Sequence, residues 1–259
     1  MLHRKVTERG GSCSAPDALS CTVRAAFAAA ILFLPSAPAI RAAGPPAEIL
    51  GCMERAGEEN RILTQAYTSA RIYKAENGRL NKAATVSAEI TYTPPGDKDF
   101  RILNQTGSGV VQKRVIQPAL EEERRNSQAS TRAQTDIHRR NYDFEFLEFD
   151  PEADANVFQA TPKSRNRHLF RGKIWVDSAS CGVVRIEGEP AVSPSFWIRK
   201  TVFRHDYARV GGVWLPVGHH TEVQLRLFGR ATFDIEYGRY SFDPPPQTAA
   251  RAPRQPDAE

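Results

Sequence analysis

This 259-residue sequence has too few of several residue types to form a specialised scaffold. Four cysteines are too few for a disulfide-dense protein, and 17 glycines are too few for a collagen-like repeat. The sequence also lacks sustained heptads and any run of about 20 apolar residues, the length that a membrane-spanning helix requires. Apolar residues nevertheless make up 41% of the chain and charged residues 25%, so a packed core is possible. Together these values indicate one or two globular domains.

The positive charge of the chain does not indicate a nucleic-acid-binding protein. The formal net charge is +5, but residues 1–42 contain five Lys and Arg residues and only two acidic residues. The remainder has 30 basic and 28 acidic residues, so it is nearly neutral. A protein that binds phosphates carries a basic patch or stripe, and this chain has none in its sequence.

Motifs of the common enzyme classes are absent from the sequence. It contains no phosphate loop, dinucleotide fingerprint, HExxH motif or nucleophile elbow. His219 and His220 are adjacent, and neighbouring residues of a strand point to opposite faces, so the pair is poorly placed to chelate one ion. His220 and Glu222 share a face, but two ligands do not make a metal site. We therefore expect no enzymatic activity, no catalytic residue, no cofactor and no metal.

An export signal is predicted at the amino-terminal end. Residues 25–34 read AAFAAAILFL behind Arg24, Pro35 ends this run, and small residues follow. A charged residue, a short apolar run and small residues in this order are typical of a secretory signal peptide. We expect residues 1–42 to be removed on export to the periplasm, with the mature protein beginning near residues 40–44.

Two cysteines remain after residue 42, and each has alternative interpretations. Cys52 follows Ile49-Leu50-Gly51, which resembles a lipoprotein signal, but it lies 18 residues after the apolar run. A lipid anchor at Cys52 is therefore not expected. Cys52 and Cys181 either form a disulfide, which an oxidising compartment permits, or are two buried thiols.

Residue spacing predicts one helix followed by a mostly β chain. Ile49, Met53 and Ala56 share one face of a helix over residues 46–63. Residues 117–140 are expected to form a mostly helical insert or a solvated loop, with Ala129, Ala133 and Ile137 as a thin apolar stripe. Strands are predicted over residues 66–75, 85–93, 100–105, 110–116, 142–149, 155–160, 168–177, 182–188, 195–208, 212–227 and 230–242.

Turns and alternation give further detail. Gly107-Ser108-Gly109 predicts the turn of a hairpin between the strands at 100–105 and 110–116. In residues 85–93, Val86, Ala88, Ile90 and Tyr92 alternate with polar residues, so these four are expected to face inward together. A Pro-rich, charged tail, residues 243–259, is expected to be disordered.

The order of elements predicts an α+β protein that is mainly β. Long antiparallel strands that follow one another make a meander rather than alternating βαβ units. Such a sheet must cover its apolar face, and only the helices near 46–63 and 117–140 are available to do so. An incomplete antiparallel barrel, or half-barrel, with helices on its concave face would enclose an apolar cavity. An ordinary filled β core is the alternative.

Short segments in a fixed order resemble a known family. They are FRGKIWVD at 170–177, VVRIEG at 183–188, SFWI at 195–198, VWLP at 213–216, VQLRLFG at 223–229 and IEY at 235–237. In this order they resemble the outer-membrane lipoprotein-sorting proteins, the LolA-like group related in fold to LolB and to the periplasmic regulator RseB. The resemblance covers residues 46–242 and implies a LolA-like lipoprotein-carrier domain over residues 43–242.

The resemblance implies a periplasmic carrier whose half-barrel binds the acyl chains of lipoproteins or lipids, for transfer towards the outer membrane. Its partners would be that cargo and a membrane-anchored donor or acceptor protein. The alternative is a periplasmic sensor or regulatory binding module of the RseB type, and a hydrolase is the least favoured reading. From the apolar parity of the strands, the cavity lining is predicted as Val86, Ala88, Ile90, Ile174, Val176, Val184, Ile186, Leu225, Leu227, Phe233 and Ile235.

Overall fold

A computed structural model describes residues 46–243 of the chain. The predicted signal peptide and all of the predicted tail after residue 243 lie outside the described residues. The helices are α1 (Pro46–Leu63), α2 (Gly109–Val111), a π-helical turn (Gln112–Ile116), α3 (Gln117–Ser127) and α4 (Ala129–Arg132). The strands are β1 (Tyr67–Asn77), β2 (Lys82–Thr93), β3 (Asp97–Gly107), β4 (Tyr142–Asp150), β5 (Ala155–Pro162), β6 (Phe170–Asp177), β7 (Val183–Pro190), β8 (Ile198–Val210), β9 (Val213–Leu225) and β10 (Gly229–Phe242).

All ten strands belong to one antiparallel sheet with the order β3-β2-β1-β10-β9-β8-β7-β6-β5-β4. Successive strands are neighbours except where β1 pairs with β10, so the first hairpin is joined to the end of a long meander. The two edge strands, β3 and β4, do not pair with each other. The fold is therefore the open, helix-covered antiparallel sheet that the sequence predicts. In the described part of the chain, no helix is both long and apolar enough to cross a membrane.

Alternation in β2 follows the prediction. Val86, Ala88, Ile90 and Tyr92 are all buried, whereas the residues between them are partly or fully exposed. The paired strand β1 has the same two-residue rhythm of burial. A strand with one buried face has a strongly fixed register, because a shift by one residue would exchange its two faces. We call the buried face, on which the helices pack, the inner face of the sheet.

The predicted hairpin around Gly107 is wrong. Residues 109–116 are helical, and they run directly into α3 without forming a strand. β-branched residues at 110, 111, 115 and 116 suggested a strand, but burial decided the conformation. Ile116 and Leu120 lie one helical turn apart and pack together on β1 and β2. This tertiary contact outweighs a weak local strand preference.

The connection between β3 and β4 runs from one edge strand of the sheet to the other, because β3 and β4 are at opposite ends of the strand order. Its helical part ends at Arg132, and residues 133–141 form turns and bends. The helical stripe predicted through residue 137 is therefore too long. Ile137 still packs towards the core as a partly buried residue.

Two helical covers bury different halves of the inner face. Helix α1 packs through Ile49, Leu50 and Met53 on the half formed by β4 to β7. The residues 109–127 pack through Ile116 and Leu120 on the half formed by β1 and β2. Each cover presents a narrow apolar stripe, so the middle of the inner face is covered less completely than its two sides.

A disulfide joins the first cover to the sheet. Cys52, in the middle of α1, is bonded to Cys181, in the turn between β6 and β7, with a Cα–Cα distance of 5.7 Å. The structure thus contains the paired alternative of the two that the sequence left open. At the end of α1, the Asn60 side chain also bonds both backbone groups of Trp214 in β9. Helix α1 is therefore fixed to the sheet at two points.

Candidate functional site

A cavity of about 610 Å³ lies between α1, the residues after α3, and the inner face of the sheet. Met53, Ile137, Ile186, Tyr207 and Leu215 supply apolar wall. Its volume lies within the range of about 300–1,000 Å³ that is usual for small-molecule sites. The cavity is therefore large enough for a ligand.

Polar and charged side chains also line this cavity. Glu58 and Arg61 come from α1, Lys98 from β3, and Arg132 and Arg140 from the connection between β3 and β4. Glu58 and Arg61 bond to each other, and Arg132 donates to the carbonyl of Pro95. The lining thus combines apolar wall with several cationic groups.

A second space of about 370 Å³ lies beside the cavity along the inner face. Ile137, Ile186 and Tyr207 line both spaces, so the two are adjacent at these residues. The second space is otherwise lined mainly by aromatic and polar groups, including Phe170 and Phe203. Together the two spaces follow the middle strands, where the covers leave the inner face least protected.

The structure divides the eleven predicted lining residues among several places. Ile186 lines both spaces. The others on the inner face lie mostly beneath the covers: those under α1 are Ile174 and Val176, and those under or beside the residues 109–127 are Val86, Ala88, Ile90, Phe233 and Ile235. These seven residues anchor the covers and do not line either space. Leu225 is partly buried at the end of β9, away from both spaces.

Two of the predicted residues do not have the assigned orientation. Val184 packs on Trp175, Val157 and Ala155, which form a cluster separate from the inner core. The register of β6 and β7 shifts between Trp175 and Val176, so Val183 takes the inward place that alternation gave to residue 184. Leu227 lies in the turn after β9 and is 56% exposed, because the strand ends at Leu225.

A buried ion cluster fixes α3 to the sheet. Glu123 is partly buried and faces the sheet between Leu120 and Ser127, which are buried. Its carboxylate accepts bonds from Arg71 of β1 and from Lys98 of β3, the latter at 2.7 Å. Burial opposes ionisation of this carboxyl group, but the charges of Lys98 and Arg71 outweigh it and lower its pKa to about 2. Glu123 is therefore an anion between two cations.

Arg71 is the most deeply buried charge of this cluster. Its side chain is fully buried, and its guanidinium lies 4.6 Å from the centre of the Tyr237 ring, which gives a cation–π contact. Its Nε and Nη2 atoms have no hydrogen-bond partner. Burial lowers the pKa of Lys98, against the attraction of Glu123. Removal of Glu123 would therefore leave two poorly solvated cations.

A histidine pair occupies the middle of the inner face. Nδ1 of His219 lies 3.0 Å from Nε2 of His205, and Thr221 lies 2.8 Å from the other nitrogen of His219. Burial lowers the pKa of His205 to about 4, and burial together with the neighbouring histidines lowers that of His219 to about 3. Both rings are therefore neutral at pH 7, and one donates to the other.

The adjacent histidines of β9 face opposite sides of the sheet, as alternation predicts. His219 is partly buried on the inner face in the pair described above, whereas His220 is on the outer face, 2.6 Å from a carboxylate oxygen of Asp234. This bond raises the pKa of His220. Within residues 46–243, no three His, Cys, Asp or Glu side chains are grouped closely enough to hold a metal ion.

Several residues of this site were not in the sequence-based list. Apolar residues fall on both faces of the predicted strand 195–208, so alternation does not assign Tyr207 to the inner face; the strand in fact begins at Ile198. Arg71 occupies an inward position of β1 between Ser69 and Tyr73, so the alternation of β1 was a signal that could have revealed a buried cation. The position of Glu123 had no such signal.

No protein-family model matches the sequence, and no curated protein matches it. Among solved structures, it is similar to a LolA superfamily protein from Nitrosomonas europaea, with a TM-score of 0.41, 11% identity, and coverage of 76% of this chain and 92% of that chain. It is also similar to a putative outer membrane lipoprotein-sorting protein domain from Vibrio parahaemolyticus, with a TM-score of 0.37, 10% identity, and coverage of 77% of this chain and 94% of that chain. For MucB, in its complex with MucA, the TM-score is 0.23 and the identity 10%, with coverage of 78% of this chain and 96% of that chain. Two of these neighbours are a LolA superfamily protein and a lipoprotein-sorting protein domain, the group that the sequence resembles.

Proposed function

We propose that this chain is an exported, non-enzymatic carrier that binds acyl chains of lipoproteins or lipids, for transfer towards the outer membrane. The observation that carries the proposal is the cavity of about 610 Å³ beneath the covers, with the second space beside it at Ile137, Ile186 and Tyr207. Two adjacent spaces along the strands suit a long, narrow ligand better than a compact one.

The driving force for binding would be burial of methylene groups. Each buried methylene stabilises the complex by about 0.8 kcal/mol. Ile137 lies where the two spaces meet, so a chain that occupies both would pass this side chain. Ile137 is also in the turns after α4, which have fewer backbone bonds to their neighbours than a helix or strand has. Movement of this segment is the simplest way to admit or release an acyl chain.

Export is supported by the disulfide between Cys52 and Cys181, because such bonds persist in oxidising compartments such as the periplasm. The same bond bears on the lipid anchor considered from the sequence. A sulfur atom that is bonded to Cys181 is not free for acylation. The proposal is therefore a periplasmic carrier that is not anchored through Cys52.

A regulatory binding module is the second candidate, and the charged part of the cavity lining favours it. Lys98, Arg132 and Arg140 line the cavity together with Glu58 and Arg61. Alternating apolar and charged wall would suit a peptide segment of a membrane-anchored regulator as well as it suits a lipid. Such a module would bind a partner protein tightly and would retain no acyl chain.

The test is binding of a fluorescent fatty-acyl probe to the wild type and to Ile137→Trp. The larger ring should block the meeting point of the two spaces and weaken probe binding at least tenfold, which is about 1.4 kcal/mol. Ile137 is partly buried in a turn region, so the change should leave the fold intact, as circular dichroism would verify. Leu147→Trp on the edge strand β4 is the control, because Leu147 is exposed and lines neither space.

Native mass spectrometry of protein taken from the periplasm separates the two candidates. The carrier should retain lipid or an acylated peptide, and the regulatory module should retain a partner protein. If the wild type binds no acyl probe and carries no lipid or acylated peptide, the carrier proposal is wrong.

A further inference from the structure

Three loops meet at one end of the sheet and form a single surface. The turn at 226–228, between β9 and β10, bonds to the loop before β8: the Arg226 backbone N–H donates to the carbonyl of Trp197 at 2.9 Å, and its Nε donates to that of Phe196 at 2.8 Å. On the other side, the Asn77 side chain at the end of β1 donates to the carbonyl of Phe228 at 3.1 Å. These bonds hold the loops in fixed relative positions.

Large apolar side chains project from this surface. Their exposed fractions are 45% for Leu80, 75% for Phe196, 54% for Trp197, 56% for Leu227 and 43% for Phe228. We call these five residues the apolar tip. Single exposed apolar residues are common, but a contiguous group on connected loops marks an interaction surface. The tip therefore requires an occupant.

The three loop segments that carry the apolar tip have charged residues of one sign only. Residues 78–82, 192–200 and 226–230 contain no acidic residue, and their six exposed basic residues are Arg79, Lys82, Arg199, Lys200, Arg226 and Arg230. Within the described part of the chain, Arg230 is the one member of this set in an ion pair, with Glu222. Arg226 lies 5.0 Å from the centre of the Phe196 ring. The tip thus combines aromatic side chains with several exposed cations on the same loops.

We propose that the apolar tip docks on the surface of a bilayer that contains anionic lipids. Tryptophan and other aromatic rings favour the headgroup region, and nearby Lys and Arg are attracted to anionic headgroups. The tip consists of loop ends with bonded backbones, so shallow insertion would expose few unsatisfied backbone groups to the lipid. The exposed Lys and Arg side chains of these loops attract an anionic surface and repel a cationic one.

This surface is distinct from the candidate carrier site. Leu215 lines the cavity near the start of β9, whereas the tip follows Leu225 at the end of that strand. Ten residues of strand separate them, which is about 33 Å. None of the five residues of the apolar tip lines either space. The inference goes beyond the proposed function and does not depend on it.

The test is flotation of the purified protein with vesicles of equal parts phosphatidylglycerol and phosphatidylcholine, and with phosphatidylcholine alone. We expect at least tenfold tighter binding to the anionic vesicles, weakened by high salt. The double variant Phe196→Ser and Trp197→Ser should lose at least tenfold in affinity. The matched control is Ile62→Ser with Leu63→Ser, two exposed apolar residues at the end of α1.

Fluorescence and a cavity variant complete the test. Anionic vesicles should shift the tryptophan emission of the wild type to the blue, and Trp197→Phe should abolish most of that shift. Ile137→Trp, which blocks the cavity, should bind vesicles like the wild type, so failure of the carrier proposal would leave this one standing. Equal binding to neutral and anionic vesicles, no loss in the double variant, or binding to neither vesicle would overturn the proposal. In the last case an acidic protein surface would be the occupant.

Discussion

Replacing Glu123 by glutamine tests whether α3 is fixed to the sheet by a charge and not only by Ile116 and Leu120. The change removes the anion between Arg71 and Lys98 but keeps the size of the side chain. Breaking a buried ion pair by removing one partner costs about 3–5 kcal/mol, because the other charge remains buried. We therefore expect the free energy of unfolding at pH 7 to fall by about 3 kcal/mol.

The pKa of Glu123 gives the same magnitude independently. Its value falls from 4.5 to about 2 in the folded protein. At about 1.4 kcal/mol for each pH unit, this difference stabilises the fold by about 3 kcal/mol. Because the folded-state pKa is the lower one, the stabilisation is complete above pH 4.5 and is lost as the pH falls towards 2. The wild type and Glu123→Gln should therefore converge in stability over that range.

Urea denaturation at several values between pH 7 and pH 2.5 measures both effects, since urea does not screen charges. The control is Glu121→Gln, whose side chain is 52% exposed and lies 3.5 Å from Arg124. An exposed pair of this kind contributes little, so the control should change stability by no more than about 0.5 kcal/mol. A loss below 1 kcal/mol at pH 7 for Glu123→Gln, or a difference that stays constant down to pH 2.5, would refute the reasoning.

Two further predictions concern the disulfide and the histidine pair. The double variant Cys52→Ser and Cys181→Ser should lose about 2–5 kcal/mol of unfolding free energy in urea, because the bond closes a loop across 129 positions; a loss below 1 kcal/mol would contradict this. The pKa values of about 4 for His205 and about 3 for His219 lie below the value of 6.5 for an unfolded histidine. The contribution of the two neutral rings to the free energy of unfolding is therefore complete above pH 6.5 and is lost as the pH falls towards 4. Between pH 7 and pH 5 the free energy of unfolding should fall by about 3–4 kcal/mol. Nuclear magnetic resonance should show neither ring titrating above pH 5, whereas the ring of His220, whose pKa is raised, should titrate above it; titration of His205 or His219 near pH 6.5 would contradict the burial argument.

Sequence patterns were most informative where one strand face is buried along its whole length. The alternation of Val86, Ala88, Ile90 and Tyr92 predicted the register of β2, because each change of face has a large cost in buried area. The same rule failed at Val184, because the register between β6 and β7 shifts at a bulge there. Bulges depend on the partner strand, so one strand's sequence does not reveal them.

Contacts between elements distant in sequence were beyond these patterns. The bond between Cys52 and Cys181 depends on α1 lying beside the turn after β6, and spacing alone left this open. The residues 109–116 carried a local strand preference that packing on β1 and β2 reversed. Most of the predicted lining residues lie on the inner face, but the helices cover them. The open part lies beside Ile137, beyond the end of the covers, and over Tyr207 of β8, and strand parity does not define it.

The connection between β3 and β4 has a mechanical consequence. It is attached to both edge strands, so its contour length limits how far the two edges can move apart. Helix α1 is similarly tethered, by its disulfide and by Asn60. Neither cover is a lid that swings from a single hinge. A change in the curvature of the sheet would therefore act on the connection between β3 and β4, since flattening draws it taut and curling gives it slack.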